Sequence, residues 1–144
     1  MSEIIAMVAG IGAAAVGGIY LAFSLLVMPA LRRRSGADAA ATMVTINEHA
    51  VRAPFMALFF GTAVACVAIA VVAIIKPGPD SPVRVAAAAA YLAGVVLTAV
   101  VNVPLNNRFA TGQSSEWIRF ARPWTTANHA RVALSAVGAF GLLG

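Results

Sequence analysis

Trp124-Thr125-Thr126-Ala127-Asn128-His129-Ala130-Arg131 runs straight into Val132 to Gly144, a stretch without a charged side chain. As a helix, that terminal stretch reaches roughly 20 Å at about 1.5 Å per residue, against about 30 Å for the core of a bilayer. A membrane span ending at Gly144 must therefore begin near Trp124. Asn128, His129 and Arg131 then fall in its first turns, at or below the membrane surface. Polar and ionisable groups at that depth are costly, and they turn towards a bundle interior, a cavity or a partner.

Composition agrees with a membrane reading. Of 144 residues, 61% are apolar and 10% charged, and the mean hydropathy is +0.89. A soluble domain carries about a quarter charged residues, so the whole chain, 1–144, reads as one integral membrane domain. The net charge of +5 comes from nine arginines and one lysine against five acids. The arginines stand at span ends, which favours orientation in a bilayer over nucleic-acid binding. Cys66 has no second cysteine to pair with and reads as a small core residue. Met1-Ser2-Glu3 lacks the basic start of a cleavable signal peptide.

The spacing predicts an all-α fold, a four-helix transmembrane bundle with spans over approximately residues 4–31, 53–75, 83–107 and 123–144. Small residues recur every fourth position in the first three spans: Ala6-Gly10-Ala14-Gly18-Ala22, Ala57-Gly61-Ala65, and Ala86-Ala90-Gly94. Such faces let helices approach closely. The third stripe turns polar, through Thr98, Asn102 and Asn106, with Pro104 between the asparagines. Pro29 loosens the end of span one, and Arg32-Arg33-Arg34 stops it. Between spans one and two lies a short amphipathic connector, with a cap in Ser35 to Asp38, an interfacial helix over Thr42 to His49, and a Glu48–Arg52 pair. Lys76 to Pro82 is a proline-rich turn, and Arg108 to Arg122 a second polar connector, after which Pro123-Trp124 opens span four.

Both polar connectors fall on one side and, with Arg131, hold eight arginines, while the opposite turn offers Lys76 and Arg84. The positive-inside rule puts the connectors in the cytoplasm and both termini outside, in what is expected to be a bacterial plasma membrane. Asn47, Asn102, Asn106, Asn128, His129 and Arg131 then gather at the cytoplasmic end.

Several stretches together resemble the anthrone oxygenase-like family of small four-span membrane proteins. They are Gly18-Ile19-Tyr20-Leu21-Ala22-Phe23-Ser24, Val27 to Leu31, Asn47 with Pro54-Phe55, Phe60-Gly61, Asn102-Val103-Pro104-Leu105-Asn106-Asn107, Trp117, Trp124, and Asn128-His129-x-Arg131. Val132 stands where family members often carry a threonine, and His49 matches no family position. The resemblance implies cofactor-independent oxygenation of an apolar aromatic compound, anthrone- or quinol-like, with dioxygen as co-substrate. A flat ketone with an acidic methylene group needs a base, donors for its oxyanion and a dry pocket. His129 is the expected base. Asn128 with Asn102 or Asn106 would donate to the oxyanion, and Arg131 would supply compensating charge. Tyr20, Phe23, Asn47, Trp117 and Trp124 would line the substrate.

Plainer readings accompany each assignment. The asparagines can serve as interhelical hydrogen bonds. Arg131 can reach the headgroups, and Trp117 and Trp124 can anchor at the interface. The Arg32-Arg33-Arg34 run orients the span, with contact to anionic lipid a modest addition. No metal or other cofactor is expected: Glu48 and His49 point about 100° apart on a helix and would not share an ion. The expected partners are the lipid bilayer and an apolar aromatic small molecule. A function of a different class fits the same residues, a non-catalytic scaffold, homo-oligomeric or an accessory subunit of a larger membrane complex. A transporter is weaker, because no charge lies at the midplane of the spans.

Overall fold

The structure, a computed structural model, describes residues 2–110 and 117–144, and the elements among them are all helical. The first helical rod is α1 (Ser2–Ala22), a π-helical turn (Phe23–Val27) and α2 (Met28–Arg32). The connector forms α3 (Gly36–Ala50), and the second rod is α4 (Ala53–Ile75). The third rod is α5 (Ser81–Leu97), a second π turn (Thr98–Asn102) and α6 (Val103–Ala110). The fourth is α7 (Trp117–Leu143).

The rods pack side by side in a ring, in which α1 meets α4 and α7, and α5 meets the same two. Glu3 joins Arg84 across one end at 2.6 Å, where α1 and α5 both begin. Three stretches, Ser2–Arg32, Ala53–Ile75 and Ser81–Asn107, are long and apolar enough to cross a membrane. α7 is as long, but Arg119, Arg122, His129 and Arg131 lower its hydropathy, and it is not among the three. The outward faces of the apolar rods carry Ile4, Val8, Leu25, Leu26, Val64 and Ile74, as contact with lipid tails demands.

The last helix starts earlier than the sequence suggests. Pro123 lies inside α7, not at its start, and Trp117 to Arg122 are helical. The rest of the expected connector, with Gly112 and Glu116, lies outside the described residues. The small-residue stripes also need correcting. Along α1, Ala6 and Gly10 are buried but Ala14 and Gly18 face outward. Every fourth position gains about 40° on a 3.6-residue turn, so the stripe walks off the contact. The face that packs is Ala6, Ala9, Gly10, Gly12, Ala13, Val16 and Tyr20. In α4, Ala57 and Gly61 point away from the other rods altogether.

The third stripe keeps its polar half inward because the helix widens there. Met28 N–H donates to the Phe23 carbonyl and Val103 N–H to the Thr98 carbonyl, both i→i+5 bonds. Each π turn ends two residues before a proline, Pro29 or Pro104. A proline has no N–H for the carbonyl four residues back, and a wide turn is one way to accommodate the gap. It takes up about one extra residue, which turns Asn102 back beneath Thr98 and Gly94.

Two apolar clusters lie along the rods. One is built from small residues of α1 and α5 with Val16, Phe59, Cys66, Ile69, Tyr91 and Leu142. The other contains Met28, Leu31, Trp117, Phe120 and Trp124, closed from below by Ala39 and Met43 of α3. The connector helix therefore caps the end of the ring and does not merely rest on the membrane surface. Ser35 Oγ accepts from Asp38 N–H at 3.2 Å to start it. It stops at Ala50, so Arg52 lies beyond the helix, and the expected Glu48–Arg52 pair is not formed. Among the described residues the ion pairs are those of Arg84 with Glu3 and Asp80.

Candidate functional site

α7 presents Trp124, Asn128, Arg131 and Ser135 along one buried face, at steps of four, three and four residues. That is the repeat of one side of an α-helix. Each meets a neighbouring rod. Ser135 sits against Gly17, where a side chain on α1 would collide with it. Asn128, fully buried, donates from Nδ2 to the Tyr20 carbonyl at 2.7 Å and to Ser24 Oγ at 2.8 Å. These acceptors straddle the start of the first π turn.

Arg131 is 6% exposed. Its Nη2 donates to Asn128 Oδ1 at 2.6 Å and its Nη1 to Thr98 Oγ1 at 3.3 Å. The guanidinium carbon lies 3.9 Å from the centre of the Tyr20 ring and 5.6 Å from that of Trp124. No carboxylate pairs with it among the described residues. The charge is held by two neutral oxygens and two ring faces, and a desolvated cation–π contact is worth about 2 kcal/mol. Its Nε–H is buried and has no partner. A buried cation without an anion is a costly arrangement, and the free N–H is a donor waiting for an acceptor.

One turn nearer the connectors, Asn102 is 1% exposed and its Nδ2 donates to the Trp124 carbonyl at 3.5 Å. Its Oδ1 is buried without a partner. Asn106 Oδ1 accepts from Trp124 Nε1 at 2.9 Å. Phe23 and Trp124 have ring centres 5.6 Å apart. The layer is thus a polar seam bordered by aromatic rings, between the two apolar clusters.

The structure brings together Asn128, Arg131, Asn102, Asn106, Tyr20, Phe23 and Trp124 among the residues singled out from the sequence. It does not bring in His129, which is exposed on the outer face of α7 although it follows Asn128 directly. Consecutive helical residues diverge by about 100°, and the inward direction belongs to Asn128. Asn47 is half-buried on α3, and no bond of its side chain joins the seam. Trp117 is buried in the lower apolar cluster with Phe120. Neither tryptophan is an exposed interface anchor: both are buried, at 6% and 4% exposure. Sequence reasoning gave no site role to Ser24 and Thr98. The signal was there: each lies four residues from a seam residue, Tyr20 or Asn102, on the same rod.

Two surface clefts lie elsewhere. One of about 510 Å³ runs along the end of span one, and one of about 270 Å³ surrounds Glu3, Lys76, Asp80 and Arg84. Among the described residues no three His, Cys, Asp or Glu side chains come close enough to hold a metal ion together.

The anthrone oxygenase family model matches residues 55–141. It covers more than half of the chain, including the Asn102 to Asn107 stretch, both tryptophans and Asn128-His129-x-Arg131, and the chain belongs to that family. The Gly18 to Leu31 stretch lies before the matched region. No curated protein and no solved structure matches the chain.

Proposed function

From membership of the anthrone oxygenase family, we propose that the chain oxygenates an apolar aromatic ketone, anthrone- or quinol-like, using dioxygen and no resident cofactor. Arg131 carries this reading: a buried guanidinium with an unpartnered Nε–H and no anion beside it among the described residues. An enolate is the anion that would complete it. An anthrone loses one methylene proton to give a delocalised enolate whose charge rests largely on the ketone oxygen. Nε–H donation to that oxygen favours the enolate over the ketone. The electron-rich ring carbon then reduces dioxygen and bonds to it, giving a peroxide anion that takes a proton back from water to become the hydroperoxide. Loss of the second methylene proton, with departure of hydroxide, forms the new carbonyl and water. One ketone and one dioxygen thus give one quinone and one water, and no electrons are left over.

Asn128 orients the guanidinium, Tyr20, Phe23 and Trp124 offer ring faces for a flat substrate, and Asn102 Oδ1 offers an acceptor for a substrate hydroxyl. His129 faces away from the seam. The first proton therefore leaves to water from a methylene that is already acidic, and Arg131 selects the enolate so formed. For this chemistry α7 crosses the bilayer as a fourth span, with both termini outside and the seam opening towards the cytoplasmic connectors. The test is oxygen uptake by the protein in lipid nanodiscs given an anthrone, with chelator present. Wild type and His129→Ala should turn over, and Arg131→Gln should not. Turnover surviving in Arg131→Gln would sink the assignment.

The outward face of Ala57 and Gly61, with nothing within 4 Å of where a Gly61 side chain would begin, supports a second reading. A scaffold or accessory subunit would use that face against another transmembrane helix. Absence of turnover in every variant, with a partner retained on that face, would favour it.

A further inference from the structure

The larger cleft belongs to two parallel rows on the outer surface of the first rod. One row is Leu25, Pro29 and Arg33, and the other is Leu26, Ala30 and Arg34. The rows run from the first π turn through α2 to the turn after it and line one channel, about 12 Å long at about 1.5 Å per residue. Its upper walls are leucines 63% and 68% exposed. Its floor is low because Pro29 and Ala30 carry little side chain, and both rows end in arginine. Arg32 turns inward to Thr125 at 3.5 Å. Arg33 and Arg34 are exposed and make no ion pair among the described residues.

We propose that this groove binds one anionic phospholipid, with an acyl chain along Leu25, Leu26, Pro29 and Ala30 and the headgroup phosphate on Arg33 and Arg34. The apolar and cationic parts follow one another along the membrane normal in the order in which a lipid presents tail and phosphate. A second copy of this chain fits poorly, because a two-fold contact through the groove would set Arg33 and Arg34 against their own counterparts. A zwitterionic lipid brings its own cation to the site and gains less. Two basic residues near the surface together favour an anionic headgroup by about 30-fold.

Native mass spectrometry of the full-length chain, released from detergent with phosphatidylglycerol or phosphatidylcholine of matched tails, tests the proposal. Wild type should retain one phosphatidylglycerol about 30-fold more strongly than phosphatidylcholine. Arg33→Gln with Arg34→Gln should abolish the preference, and Ala30→Trp, which fills the groove and keeps both charges, should weaken retention of the lipid. Equal retention of the two lipids by wild type would overturn the proposal. So would full retention in Ala30→Trp, which would mean diffuse attraction with no groove, or a dimer that Ala30→Trp abolishes.

Discussion

The Arg131 guanidinium carbon lies 3.9 Å from the centre of the Tyr20 ring, so a cation inside the rods rests on an aromatic face where a carboxylate would be usual. The ring, not the hydroxyl, should then be what stabilises it. Tyr20→Phe keeps the ring, and Tyr20→Leu removes it while keeping an apolar side chain. The leucine variant should be less stable than the phenylalanine variant by about 2 kcal/mol, read as a lower thermal midpoint in the same detergent. Equal midpoints would show that the contact carries no energy.

Asn128 and Arg131 should behave oppositely when replaced. Asn128→Ala removes the 2.6 Å acceptor of Nη2 and leaves a buried charge less compensated, a loss of about 1.5–3 kcal/mol. Arg131→Met removes the charge itself and leaves Asn128 Oδ1 without its donor, at about 1–3 kcal/mol, while Thr98 loses the Nη1 contact but keeps its bond to the Gly94 carbonyl. Relief of the buried charge offsets this by about 1–4 kcal/mol. Arg131→Met should therefore fold with near-native stability and have no oxygenase activity, whereas Asn128→Ala should lose both. Denaturant titration in micelles beside the oxygen-uptake assay distinguishes the two patterns.

The prolines behind the π turns offer a third test. Pro104→Ala restores an N–H that can reach the carbonyl of Val100. If the helix takes that bond, the extra residue is lost and Asn102 rotates off the seam. Helical content by circular dichroism should stay constant or rise slightly, while oxygen uptake falls by about tenfold or more, as for a misplacement of about 1 Å. Unchanged turnover would mean that the wide turn persists without the proline.

Much of this arrangement is legible in the residues themselves. The extents of the first three rods follow from runs without charge, and the inward turn of Asn128 and Arg131 from the cost of polar groups at that depth. The outward turn of His129 was not legible, because helical phase is set by which neighbours pack, and a histidine beside an asparagine looks equally inward on paper. The small-residue stripes misled for a related reason. Period four and period 3.6 agree over one turn and part company over three, so Gly18 and Gly61 face outward while Gly12 and Gly17 pack. The π turns lie beyond simple periodicity, although Pro29 and Pro104 mark where they fall.

Two glycines that look alike in sequence should respond differently to alanine. At Gly12 the added carbon would overlap the Thr62 hydroxyl, which is itself held on the Leu58 carbonyl at 2.7 Å. Thr62 lies in the interface between α1 and α4 and can move only by giving up that bond, so Gly12→Ala should destabilise by about 1–3 kcal/mol. At Gly61 nothing stands within 4 Å. Gly61→Ala should leave an isolated chain unchanged or stabilise it by up to about 1 kcal/mol through helix propensity. If α4 docks another transmembrane helix there, the same methyl group forces the two backbones apart. Thermal midpoints of both variants, with the mass of each in detergent, separate these cases. A destabilised Gly61→Ala that also loses an associated chain would establish α4 as an interface, while an unaffected one would leave that face to lipid.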